Sequence, residues 1–171
     1  MRNSTISRMG AVAAATTFMC MAGAQSVTPS GLSVRLGLFT PTNSLASDLG
    51  STWFGFGADF KLSTLSAAVP VVGTEAYFGI SADYYSHGGD SDIPVALTYN
   101  VRQGPIALAA GLGPDFRNSG DVTSTGVGIG EQVAFTYEIG KIPIPLFVQA
   151  KYFFSSKPEL SGFGFYIGAR F

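Results

Sequence analysis

The sequence predicts an all-β fold, an eight-stranded antiparallel transmembrane up-and-down β-barrel, and three observations point there together. Apolar and polar residues alternate with period two in eight separate stretches, and none repeats with the 3.6-residue period of an amphipathic helix. Glycine is abundant, at 22 residues, charge is sparse, at 12%, and the mean hydropathy is positive. After the N-terminal stretch no apolar run approaches the roughly 20 residues that a membrane helix needs, so strands have to carry the hydrophobicity.

The first stretch, residues 32–39, sets Leu32, Val34, Leu36 and Leu38 against Ser33, Arg35, Gly37 and Phe39. The second, 54–62, sets Phe54, Phe56, Ala58, Phe60 and Leu62 against Gly55, Gly57, Asp59 and Lys61. In the third, 75–85, Ala76, Phe78, Ile80, Ala82 and Tyr84 oppose Glu75, Tyr77, Gly79, Ser81, Asp83 and Tyr85. The fourth, 93–102, has Ile93, Val95, Leu97, Tyr99 and Val101 on one row and Asn100 and Arg102 on the other. The fifth, 106–113, is small, with Ile106, Leu108, Ala110 and Leu112 against alanines and glycines. The sixth, 126–139, opposes Val127, Ile129, Val133, Phe135, Tyr137 and Ile139 to Gly126, Gly128, Gly130, Gln132, Ala134, Thr136 and Glu138. The seventh, 146–154, opposes Leu146, Val148, Ala150, Tyr152 and Phe154 to Phe147, Gln149, Lys151 and Phe153. The eighth places Phe163, Phe165, Ile167, Ala169 and Phe171 opposite Gly164, Tyr166, Gly168 and Arg170.

Period two puts the two rows of each stretch on opposite faces of a strand. Charges and glycines share one face throughout, and the other face is almost wholly apolar. A soluble barrel has apolar residues inside; apolar-out and polar-in is the arrangement of a barrel in lipid. The expected lumen-facing polar residues are Arg35, Asp59, Lys61, Glu75, Asp83, Asn100, Arg102, Gln132, Glu138, Gln149, Lys151 and Arg170. Glu131 breaks the pattern on the apolar row of the sixth stretch. Two explanations fit it, a bulge aided by Gly128 and Gly130 or a place at the membrane rim. Aromatics expected to form a girdle at the outer rim are Trp53, Phe54, Tyr84, Tyr85, Phe154 and Phe163, with Tyr99, Tyr137 and Phe171 at the inner rim.

The N-terminus reads as a secretory signal. Arg2 and Arg8 precede an apolar stretch over residues 9–21, and Ala22-Gly23-Ala24 supplies a small-x-small cleavage site. The expected organisation is a cleaved signal peptide over residues 1–24 and one barrel domain over 25–171. Cleavage removes the only cysteine, Cys20, and takes the formal net charge from −1 to −3. The exported chain then has to be stable without disulfides.

With the signal, the eight stretches and the aromatic final strand in place, the chain resembles the small OmpA/OmpX-type outer-membrane β-barrels of bacteria. The segment Pro145-Leu-Phe-Val-Gln-Ala-Lys-Tyr-Phe-Phe before a short loop and a last strand is typical of such domains. The resemblance implies bacterial outer-membrane localisation, contact with the lipid bilayer and outer-leaflet lipids, and no cofactor. It also implies that Phe163, Phe165, Ile167, Ala169 and Phe171 form a C-terminal assembly signal read by the outer-membrane assembly machinery. In that family pattern both termini are periplasmic. The outer loops then fall at residues 40–51, 86–92, 114–124 and 155–160, and the inner turns at 63–73, 103–105 and 140–143.

Little in the sequence suggests catalysis or a metal centre. His87 is the only histidine, and in barrels that deacylate lipid a His-x-Ser pattern sits on a strand, whereas Gly88 and Gly89 follow His87 here. It reads as a polar loop residue, and no enzyme is expected. The outer loops are acidic, with Asp48, Asp90, Asp92, Asp115, Asp121 and Glu159 against Arg117 and Lys157. Solvated charges are the expectation there, divalent-cation binding the alternative, and nucleic acid is disfavoured as a partner. The interior charges nearly balance, which suggests pairing across a filled polar core, with Lys61 and Glu75 flanking one turn as a natural pair. The expected role is structural or surface-interacting, through an extracellular partner the sequence does not name. A narrow, porin-like pore for water or small solutes and a lipid-modifying enzyme are the rivals.

Overall fold

The computed structural model describes residues 31–43, 52–65, 73–118, 125–141 and 144–171. The signal-peptide segment and parts of the connections at 40–51, 63–73, 114–124 and 140–143 lie outside the described residues. Eight strands follow in chain order: β1 (Leu32–Pro41), β2 (Trp53–Leu65), β3 (Thr74–His87), β4 (Asp90–Gln103), β5 (Ile106–Asn118), β6 (Gly126–Lys141), β7 (Pro145–Ser155) and β8 (Gly162–Arg170). A short 3₁₀ turn, Pro158–Leu160, joins the last two.

Each strand pairs antiparallel with its sequence neighbours, and β1 pairs with β8 from Ser33↔Arg170 to Pro41↔Gly162. The sheet is therefore a closed barrel with no free edge, and its backbone hydrogen bonds are satisfied between strands. That is the one way a sheet can meet lipid. The seam admits no side chain at Gly37, where a Cβ would run into the Phe165 carbonyl of β8.

The strands outrun the sequence-predicted segments, and the loops shrink accordingly. The connection expected over 86–92 is a two-residue turn, Gly88-Gly89, because β3 continues to His87 and β4 begins at Asp90. Gly88 has φ of 68° and Gly104, in the β4–β5 turn, 57°. Both fit the first position of a Gly-X hairpin turn, which only glycine adopts without strain. β5 likewise runs to Asn118 and carries Asp115 and Arg117 within the ladder. At the other limit, β8 runs to Arg170, the residue before Phe171.

The apolar rows face outward. Leu97, Leu108, Ile129 and Phe165 are 55%, 56%, 68% and 60% exposed. Glu131 lies on this outward row in an unbroken register, opposite Leu112 and Phe154, so no bulge turns it inward. Its partner Phe154 is one residue from the end of β7, while its other partner, Leu112, lies in the middle of β5. The irregularities lie elsewhere, between Lys61 and Ser63 and between Glu138 and Gly140.

The interior departs from the expected girdle. Trp53 and Tyr85 are 0% and 1% exposed and point into the barrel rather than to a lipid rim. With Phe39, Phe153, Tyr166 and Leu160 they form one buried cluster. Phe39 stacks on Tyr85 at 4.3 Å, Trp53 meets Phe39 edge-on at 6.1 Å, and Phe153 approaches Tyr85 at 6.1 Å. Tyr85 and Phe39 follow the inward row by parity, and Trp53 is opposite Phe39 across β1–β2, so it shares that face. Phe54, Tyr84, Phe154 and Phe163 remain on the outward row. Replacing Gly37 with alanine is expected to weaken the β1–β8 seam by about 1–3 kcal/mol. The check is the urea midpoint of the folded form in detergent.

Candidate functional site

Among the described residues, side chains of chemical interest converge in the barrel interior, and Asp83 is its centre. Asp83, on β3, is 2% exposed. Its Oδ1 accepts from Arg35 Nε at 3.0 Å and Nη2 at 2.5 Å, and its Oδ2 accepts from Lys151 Nζ. Arg35 comes from β1 and Lys151 from β7, so these bonds cross the interior and tie three strands that are not all neighbours. Ser81 Oγ accepts from both cations, from Arg35 Nη2 at 3.0 Å and Lys151 Nζ at 3.0 Å. Arg35 Nη1 turns to Asp59 of β2, which also receives the Ser33 hydroxyl at 3.3 Å.

The arrangement has two cations and two anions, with every Arg35 nitrogen engaged. A buried ion pair is worth holding only when hydrogen bonds also satisfy its remaining atoms, and here they do. Gly57 provides the space: a Cβ there would overlap Asp83 Oδ1 and come 2.9 Å from Arg35 Nη2. The aromatic layer covers the network on one side, with Arg35 Cζ 5.6 Å from the Tyr166 ring centroid.

On the other side, toward the end of the barrel that holds the start of β1 and the end of β8, a second set of charges pairs off. Glu138 accepts from both Arg102 and Arg170, and Lys61 pairs with Glu75 across the β2–β3 connection. Arg170 lies over Phe147 and Lys61 over Tyr77. Between the two charge layers Gln149 donates to Thr136 at 2.9 Å and Asn100 to Thr98 at 2.9 Å, while Gln132, 4% exposed, is opposite Phe153 of the aromatic cluster. The sequence-predicted polar residues thus fall into a central network, Arg35, Asp59, Asp83 and Lys151, and a terminal one, Lys61, Glu75, Arg102, Glu138 and Arg170.

Three acids belong to neither network, and their placement corrects the expectation of solvated loop charges. Asp90, Asp92 and Asp115 are 1%, 1% and 0% exposed, because the strands extend past the predicted loops and point them inward. Ser155 donates to Asp115 Oδ2 at 2.6 Å. His87, expected in a flexible loop, is part of β3 and lies over Trp53 with ring centroids 6.2 Å apart. Sequence reasoning missed this group because it placed the strand ends too early. The inward parity of 90, 92 and 115 was visible once the strands are extended. Among the described residues, no three Asp, Glu, His or Cys side chains form a ready metal cage.

No protein-family model matches the chain, and no curated protein sequence matches it. Solved structures similar to it include two outer-membrane proteins. The Yersinia pestis outer membrane protein Ail, in a phospholipid bilayer nanodisc, is 11% identical, with 82% of this chain and 98% of that one covered and a TM-score of 0.49. The outer membrane enzyme PagL is 10% identical, with 81% and 97% covered and a TM-score of 0.49. Asp83→Asn removes one charge from between two buried cations, and a cost of about 3–5 kcal/mol is expected. Equilibrium unfolding in urea, followed by tryptophan fluorescence, measures it.

Proposed function

We propose that this chain is an integral outer-membrane barrel with a sealed interior, serving a structural or surface-interaction role. The observation that carries the reading is the pairing of an apolar exterior with a filled, charge-neutral centre. Water would leave the outward row of Leu97, Leu108, Val133, Phe135 and Phe165 without cover, whereas a bilayer provides it. An eight-stranded barrel has room inside mainly for side chains. Here the Arg35–Asp83–Lys151 cross-links and the aromatic layer take up that room at successive heights. The end with the β3–β4 turn is the outward one in this reading, and any partner meets its loops.

Two experiments test it. Leu97→Arg puts a charge on the outward face near mid-height, and a loss of about 2–4 kcal/mol of folding stability in lipid vesicles is expected. An unchanged stability would indicate a barrel that lives in water. Verified insertion into a planar bilayer should give no conductance steps. Steady, reproducible steps would establish the narrow pore instead and make Arg35, Asp59 and Lys151 its lining.

A further inference from the structure

We propose that Asp92 and Asp115 form a binding site for one partly hydrated divalent cation of the hard, oxygen-preferring class, just inside the barrel end that carries the β3–β4 turn. Two observations carry it independently. The first is the state of the ligands. Asp92 is 1% exposed, yet neither of its carboxylate oxygens has a hydrogen-bond partner, and Oδ1 of Asp115 has none either. A buried carboxylate left bare is costly, and native interiors avoid it. Across β4–β5 Asp92 is opposite Arg117 and Pro94 is opposite Asp115. The two acids are therefore diagonal neighbours on one face, with Cα atoms about 7–8 Å apart, close enough for their side chains to share an ion.

The second observation is the charge balance of the surroundings. Asp92 and Asp115 are buried at this end, and among the described residues the base facing them is the half-buried Arg117, opposite Asp92. Arg117 Nε stays 3.8 Å from Asp115 Oδ1, and its Nε and Nη1 make no hydrogen bond. Two acids against one guanidinium that bonds neither of them through Nε or Nη1 leave a formal charge of −1. A divalent cation answers both that negative charge and the bare oxygens. Two protein carboxylates with water in the remaining positions suit Mg²⁺ or Ca²⁺, which take oxygen ligands and tolerate retained water. Gly128 keeps the space open, because a Cβ there would overlap Asp115 Oδ1 and the Ser156 hydroxyl.

The test uses the full folded chain, stripped with chelator in a zwitterionic detergent. Tb³⁺ is titrated while luminescence sensitised by the neighbouring Trp53 and Tyr85 is read, and Ca²⁺ is then added as competitor. Saturable binding of one ion per barrel, displaced by Ca²⁺, is expected. Asp92→Asn and Asp115→Asn should each weaken binding by about 10–100-fold or more, and Glu131→Gln, on the outward row, should leave it unchanged. In chelator Asp92→Asn should unfold at a higher temperature than the parent chain and lose the rise that Ca²⁺ gives the parent. Equal binding in all variants would put the ion elsewhere and overturn the proposal. So would an absence of saturable binding with a midpoint that rises on acidification, since a proton would then neutralise the pair.

Discussion

Closing eight strands on themselves leaves an interior too narrow for bulk water, and every inward charge has to find its partner within it. Asp83 meets that constraint for the barrel's centre. It is held by a cation from β1 and a cation from β7, while Ser81 bridges the same two groups. The backbone ladder fixes which strands are neighbours, but these bonds fix the interior across strands that the ladder does not join. Removing either cation leaves the other still paired. Removing Asp83 leaves both in a low-dielectric site with one acid, Asp59, to share.

Packing follows from this core. The guanidinium fills the space over Gly57, and the phenol of Tyr166 lies against it. Phe39, Tyr85, Trp53 and Phe153 then close the lumen above, with Leu160 of the 3₁₀ turn packed into the same cluster. Large inward side chains are matched with glycine on adjoining strands: Phe153 with Gly130, Phe147 with Gly168, Phe39 with Gly162. If the lumen is sealed as proposed, whatever chemistry the molecule does falls to its ends. At one end the described charges pair through Glu138 and Lys61. The other keeps the bare carboxylate oxygens of Asp92 and Asp115.

Much of this was legible in the sequence, because strand parity is a local property. A side chain's face follows from counting by two, so the outward row, the inward charges and the closing strand could all be read without coordinates. The Lys61–Glu75 pair was legible too, since both residues flank a single turn. The lengths of the strands were not. Gly88-Gly89 looked like part of a polar loop, yet two residues suffice for a hairpin turn, and Asp90, Asp92 and His87 joined the ladder. Trp53 looked like an interfacial aromatic because it sits at a strand end, where rim and lumen residues have the same sequence neighbours.

By itself, the sequence determined the all-β alternation, the apolar face and the identity of the inward charges, because these depend on residue type and on a period of two. Tertiary structure alone decided which charges meet. Arg35 and Asp83 are 48 residues apart, and Lys151 and Asp83 are 68. Their contact depends on barrel closure and stagger, which the alternation does not encode. The same closure turned three apparently solvated aspartates into buried ones, since burial is set by the strands around a residue and not by the residue itself.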